Sequence, residues 1–151
     1  MSTRSAIGIM DNDGRIKSVY CHFDGYPEHN GVILEEYYTK REKIEALLAL
    51  GSISLLDRRL EPVKGVTHNF DKRAKGVVLA YHRDRGDVYH TPDVWEDEED
   101  YVRNVERAYW AEYVYLWKDG WWMVYNTSSL NVVYDATRWN TVADALRVCE
   151  V

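Results

Sequence analysis

The run Tyr113-Val114-Tyr115-Leu116-Trp117-Lys118-Asp119-Gly120-Trp121-Trp122-Met123-Val124-Tyr125 constrains the fold of this chain more than any other stretch. Asp-Gly between two apolar runs is a strong hairpin signal, because a two-residue turn whose twist matches the flanking strands needs positive φ at both turn positions. With Asp119 and Gly120 as the turn, Trp117 falls opposite Trp122 and Leu116 opposite Met123. Period-two alternation then puts Tyr113, Tyr115, Trp117, Trp122 and Val124 on one face, and Val114, Leu116, Trp121, Met123 and Tyr125 on the other. Either face, left exposed, would make a homo-oligomer easy to form.

A second hairpin is expected near the start. Ile7 and Ile9 precede Asp11-Asn12-Asp13-Gly14, and Ile16 to Phe23 follows. Alternation sends Val19, Cys21 and Phe23 to the core and leaves Ser18, Tyr20 and His22 outward. Gly31 then opens a short helix carrying Ile33, Leu34, Tyr37 and Tyr38. Thr39-Lys40-Arg41-Glu42 has the capping-box pattern for a second helix with Ile44, Leu47 and Leu48 inward, stopped at Gly51.

Residues 52–75 carry little periodicity and are expected to be irregular, and Val77 to Tyr81 is expected to be a strand. Asp93 to Asp100 holds six carboxylates in eight residues. It leads into Tyr101, Val102, Val105 and Tyr109 at helical spacing, so the acid sits where a helix dipole favours it. A last strand is expected over Val132, Val133 and Tyr134. Thr141 is expected to cap a final helix with Val142, Ala145, Leu146 and Cys149 on its apolar stripe. Helices and hairpins come in blocks without regular βαβ alternation. The fold class is therefore α+β: a single domain over 1–151, with a mainly antiparallel sheet built from hairpins and three or four helices packed on it.

Composition narrows the function classes. A net charge of −6 argues against a nonspecific grip on nucleic acid. Cys21 and Cys149 lack the spacing of a disulfide framework or zinc knuckle, which suits a reducing, cytoplasmic setting. No apolar run is long enough to span a membrane. Six Trp and twelve Tyr stand beside two Phe, a choice that suits half-wet recognition surfaces. No phosphate-cradling glycine loop, nucleophile elbow or metal-ligand spacing is present, so no cofactor and no metal is expected.

Two candidate sites remain. From Arg58 to Arg85 there are eight basic residues against three acidic, and from Gly86 to Glu112 nine acidic against two basic. At the junction, Arg83 and Arg85 would point the same way from an extended segment, a geometry suited to gripping an anion. Rings of Trp117 and Trp122, or of Tyr20 and Tyr26, would stack on a base, giving a site for a nucleotide-like ligand. His22 at the end of the second strand and Asp24 in the polar turn after it lie beside those tyrosines. The other site is an enzymatic one built on Cys21, His22 and Asp24. Adjacent strand residues face opposite ways, so Cys21 and His22 do not form a dyad with each other.

The stretches Arg4-Ser5-Ala6-Ile7-Gly8-Ile9, Asp13 through Pro27 and Lys43 through Ser54 resemble a family of uncharacterised small non-structural proteins encoded by tailed phages and prophages. The likeness spans roughly the first sixty residues and, more loosely, Tyr81 to Gly86. It implies a phage accessory protein working in the bacterial host cytoplasm. Counter-defence by sequestering a nucleotide-like ligand is the leading expectation. The alternative is a protein-protein inhibitor of a host factor that uses the aromatic hairpin or an acidic decoy around Glu96, Glu98 and Glu99.

Overall fold

The computed structural model describes residues 2–127 and 133–149. The first hairpin is β1 (Ser5–Met10) and β2 (Ile16–Cys21), in register from Ser5 opposite Cys21 to Met10 opposite Ile16. A wide helical turn over Pro27–Gly31 runs into α1 (Val32–Tyr37), followed by α2 (Arg41–Ala49) and β3 (Ile53–Leu55). Next come β4 (Leu79–Ala80), α3 (Tyr81–Arg85), β5 (Asp93–Trp95) and α4 (Glu98–Ala108). The second hairpin is β6 (Tyr113–Lys118) and β7 (Trp121–Asn126), and β8 (Asn140–Thr141) and α5 (Val142–Cys149) close the order.

The sheet runs β4-β3-β2-β1-β6-β7-β8, with β5 also paired to β2. The two hairpins are joined side by side through a parallel pairing of β1 with β6, and β2 with β3 is parallel as well. The other pairings are antiparallel, so the α+β domain is built on a mixed, mainly antiparallel sheet. The β6–β7 register has Trp117 opposite Trp122 and Leu116 opposite Met123, across a turn with φ of 53° at Asp119 and 82° at Gly120.

Both sheet faces are covered. On one, Ile7, Ile9, Val19, Cys21, Tyr115, Trp122 and Val124 pack against Leu34, Tyr38, Ile44, Leu47 and Val142 of the flanking helical segments. On the other, Ala6, Ile16, Val114, Leu116 and Tyr125 pack against Tyr101, Val102 and Val105 of α4. Gly8 is what lets α4 come this close. A Cβ there would lie 2.8 Å from the Tyr101 hydroxyl, which donates a 2.7 Å bond to the Tyr115 carbonyl. The Asp97 side chain caps α4 by accepting from the Asp100 N–H at 2.8 Å, while the Asp100 carboxylate accepts from the Glu96 N–H.

Several sequence expectations are corrected. Among the described residues there are five α-helices rather than three or four. Phe23 is 41% exposed, because the chain leaves the sheet after Cys21 and bends at Asp24, where φ is 56°. The helix-starting residue of α2 is Lys40, with no side-chain cap, so Thr39 does not form a capping box. The expected strand Val77–Tyr81 shrinks to Leu79–Ala80, since Tyr81 already begins α3. Val133 and Tyr134 are not in a strand, and β7 pairs with Asn140–Thr141 instead. Val132 and the side chain of Cys149 lie outside the described residues. Thr141 does cap α5, accepting from the Asp144 N–H.

The irregular loop between β3 and β4 is pinned by a buried polar knot. His68 accepts from the Ala74 N–H through Nδ1 and donates through Nε2 to the Val78 carbonyl, 3.3 Å from Asp84.

Candidate functional site

The outer edge of β2 is split. β5 pairs with it at Ile16, Lys17 and Ser18, and β3 joins it at Cys21. Tyr20 stands at the parting, on the sheet face that carries α4 but past the end of that helix, its ring edge-on to Tyr109 at 5.7 Å. Two hollows meet there. One, of about 530 Å³, is lined by Tyr20, Gly51, Ser52, Tyr81, Arg85 and Tyr89 among others. The other, of about 560 Å³, is lined by Arg4, Tyr20, Ser52, His90, Asp93, Tyr109 and Trp110. Tyr20, Ser52 and His90 belong to both, so together they form one groove.

The groove has its own hydrogen-bond chain. Arg4 Nε donates to the Tyr20 hydroxyl at 3.1 Å, and that hydroxyl donates to His22 Nδ1 at 2.5 Å. Burial raises the Tyr20 phenol above its ordinary value, so it stays protonated and able to donate. Burial and then the Arg4 charge lower His22, which keeps its imidazole neutral with Nδ1 as acceptor. Among the described residues Arg4 donates from Nε alone, leaving the two terminal nitrogens of its guanidinium for a ligand. An arginine fork of this kind suits a phosphate or carboxylate.

The two carboxylates of the groove are already engaged. Asp93 accepts from the Tyr109 hydroxyl. Asp87 takes both arms of the Arg85 fork at 2.8 and 2.7 Å, and that guanidinium also lies over the rings of Phe70 and Tyr81.

The structure brings some of the expected site residues together and separates others. Tyr20 and His22 are hydrogen-bonded, and Arg85 lines the same groove as Tyr20. Arg83 is elsewhere. Residues 81–85 are helical, so the two arginines do not share a side, and the Arg83 guanidinium is bonded to the Leu60 carbonyl, the Val78 carbonyl and Asp84. Asp24 and Tyr26 bond to each other at 3.1 Å and line neither hollow. Trp122 is 1% exposed with its indole N–H on the Tyr38 carbonyl, and Trp117 packs edge-on against it, so these two rings form no open stacking pair; the exposed ring of the hairpin is Trp121, which lines neither hollow.

The stacking rings come instead from Tyr81, Tyr89, Tyr109 and Trp110, which sequence reasoning missed. The available signal was Tyr109-Trp110, two adjacent rings just past the end of an amphipathic helix.

Cys21 is fully buried on the opposite sheet face, bonded to Asn30 and to the Phe23 carbonyl. Burial pushes its thiol up to about 11, which denies it the thiolate a nucleophile needs. Among the described residues no group of three or more His, Cys, Asp or Glu is placed to hold a metal ion. No described helix is long and apolar enough to cross a membrane. Between the basic and acidic halves of the middle segment, Arg85 with Asp87 is the one ion pair among the described residues; the acidic run is otherwise served by Arg15, Arg103 and Lys118.

Comparison with protein-family models, with curated proteins and with solved structures finds no match.

Proposed function

We propose that this chain is a binding protein that captures a compact ligand carrying an aromatic ring and an anionic group in the Tyr20 groove. The observation that carries the reading is the union of open aromatic rings with an arginine whose terminal nitrogens are unengaged among the described residues. Rings stack on a base without regard to its identity, while a guanidinium fork takes the phosphate. A nucleotide-like molecule offers both groups. The setting, a phage accessory protein that sequesters such a ligand in the host cytoplasm as counter-defence, draws on the likeness of the first sixty residues to phage-encoded proteins.

The rival reading is an inhibitor docking on a host protein. The hairpin rings other than Trp121, which is 65% exposed, pack into or against the two cores, and Glu96, Glu98 and Glu99 of the acidic run lie in ion pairs with Arg15, Lys118 and Arg103. Calorimetric titration with linear and cyclic nucleotides tests the groove. Heat of binding is expected from the wild-type protein and about a tenfold weaker response from Arg4→Gln. No heat with any nucleotide well above micromolar concentration sinks the reading.

A further inference from the structure

Trp110 sits in a conformation that folding does not favour. Its φ is 57°, in the left-handed region that a bulky side chain rarely adopts, and its ring is 74% exposed. Burial of the ring therefore does not compensate for the backbone conformation. Glycine would hold this backbone more easily, yet an indole stands here, aimed outward at the rim of the groove. Strained backbone combined with an uncovered ring points to a face kept for stacking.

The same groove offers a second set of rings in its other hollow. Tyr89 is anchored there by its hydroxyl on the Ala49 carbonyl, and Tyr81 is stacked on Phe70. Between the two ends lie Tyr20, Ser52 and His90, common to both hollows, with Arg4 bonded to Tyr20. Each hollow, at about 530 and 560 Å³, is within the range that accepts one small-molecule ligand.

Building on the groove reading above, we infer that the ligand has two aromatic ring systems joined by an anionic link. One ring stacks on Trp110 and the other on Tyr81 and Tyr89, with the link facing Arg4. Trp110 is then a specificity residue, because it is what separates a two-ring ligand from a one-ring ligand of the same charge.

The test compares the four common mononucleotides with the corresponding homodinucleotides, each pair of nucleosides joined by one phosphodiester, on wild-type protein and on Trp110→Gly and Trp110→Phe. The dinucleotide is expected to bind at least tenfold tighter than its mononucleotide. Trp110→Gly is expected to erase that advantage while leaving Tm unchanged or higher, since glycine accepts the positive φ. Trp110→Phe keeps a ring and should retain most of the advantage.

Equal affinity for mono- and dinucleotides, unchanged by Trp110→Gly, overturns the two-ring inference and leaves the groove reading standing. A clear fall in Tm for Trp110→Gly makes Trp110 a structural residue and overturns its role. Absence of binding by every probe overturns this inference and the groove reading together.

Discussion

The protein uses aromatic residues in two regions with opposite outcomes. In the β6–β7 hairpin the central rings are sealed, with Trp121 beside the turn left exposed: Trp122 and Tyr115 are buried, and their polar tips donate to the Tyr38 and Gly25 carbonyls. In the groove, Tyr20, Tyr81 and Tyr109 are half-buried, while Tyr89 and Trp110 are exposed. The residue types are the same. What differs is position in the sheet, since β6 is flanked by β1 and β7 and roofed on both faces, whereas the outer edge of β2 divides between two short strands that leave a gap. Amphipathic rings become core where every direction is covered and become a recognition surface where a sheet edge is interrupted.

The largest expected effect breaks the hairpin side of that contrast. Trp122→Ala removes a fully buried indole and orphans the Tyr38 carbonyl, and should cost about 3–5 kcal/mol in urea denaturation. A loss below about 1 kcal/mol would mean that the hairpin rings are no more structural than those of the groove. Tyr115→Phe keeps the ring and deletes the 2.7 Å bond to Gly25, for an expected loss of about 1–3 kcal/mol by the same measurement.

The smallest effect sharpens the groove side. His22 titrates in contact with solvent, and its folded value is held below the ordinary 6.5 by burial and by Arg4. The unfolded chain therefore binds more protons in the window from 6.5 down to the lowered folded value, and His22 removes stability as pH falls through it. Arg4→Gln should move the folded value back toward 6.5, read from the His22 ring protons by NMR. No movement, or movement downward, would show that the Arg4 charge does not reach the imidazole.

Those features that depend on neighbours in sequence were readable in advance. The Asp119-Gly120 turn sets the β6–β7 register, and alternation along β2 separates Cys21 from His22 and removes their dyad. Gly51 stops α2, with φ of 81° just past its end. The failure at Arg83 and Arg85 was local too. Gly86, at φ of 85°, caps a helical turn, and the Asp84 side chain takes the Ala80 N–H at its start, a pairing that overrides the strand pattern before it. Phe23 departs from the alternation because it lies two residues past the end of β2.

The chain by itself determined the two hairpins, the acidic start of α4 and the single α+β domain, because turn chemistry, capping and period-two patterning act within a few residues. Tertiary structure alone decided that β1 lies parallel to β6, that β3 and β5 share one edge of β2, and that Arg4, Tyr20, Arg85, His90 and Trp110 surround one groove. Those arrangements join segments more than a hundred residues apart, as Ser5 and Tyr113 are. Their choice rests on burying both sheet faces at once, which no local pattern encodes.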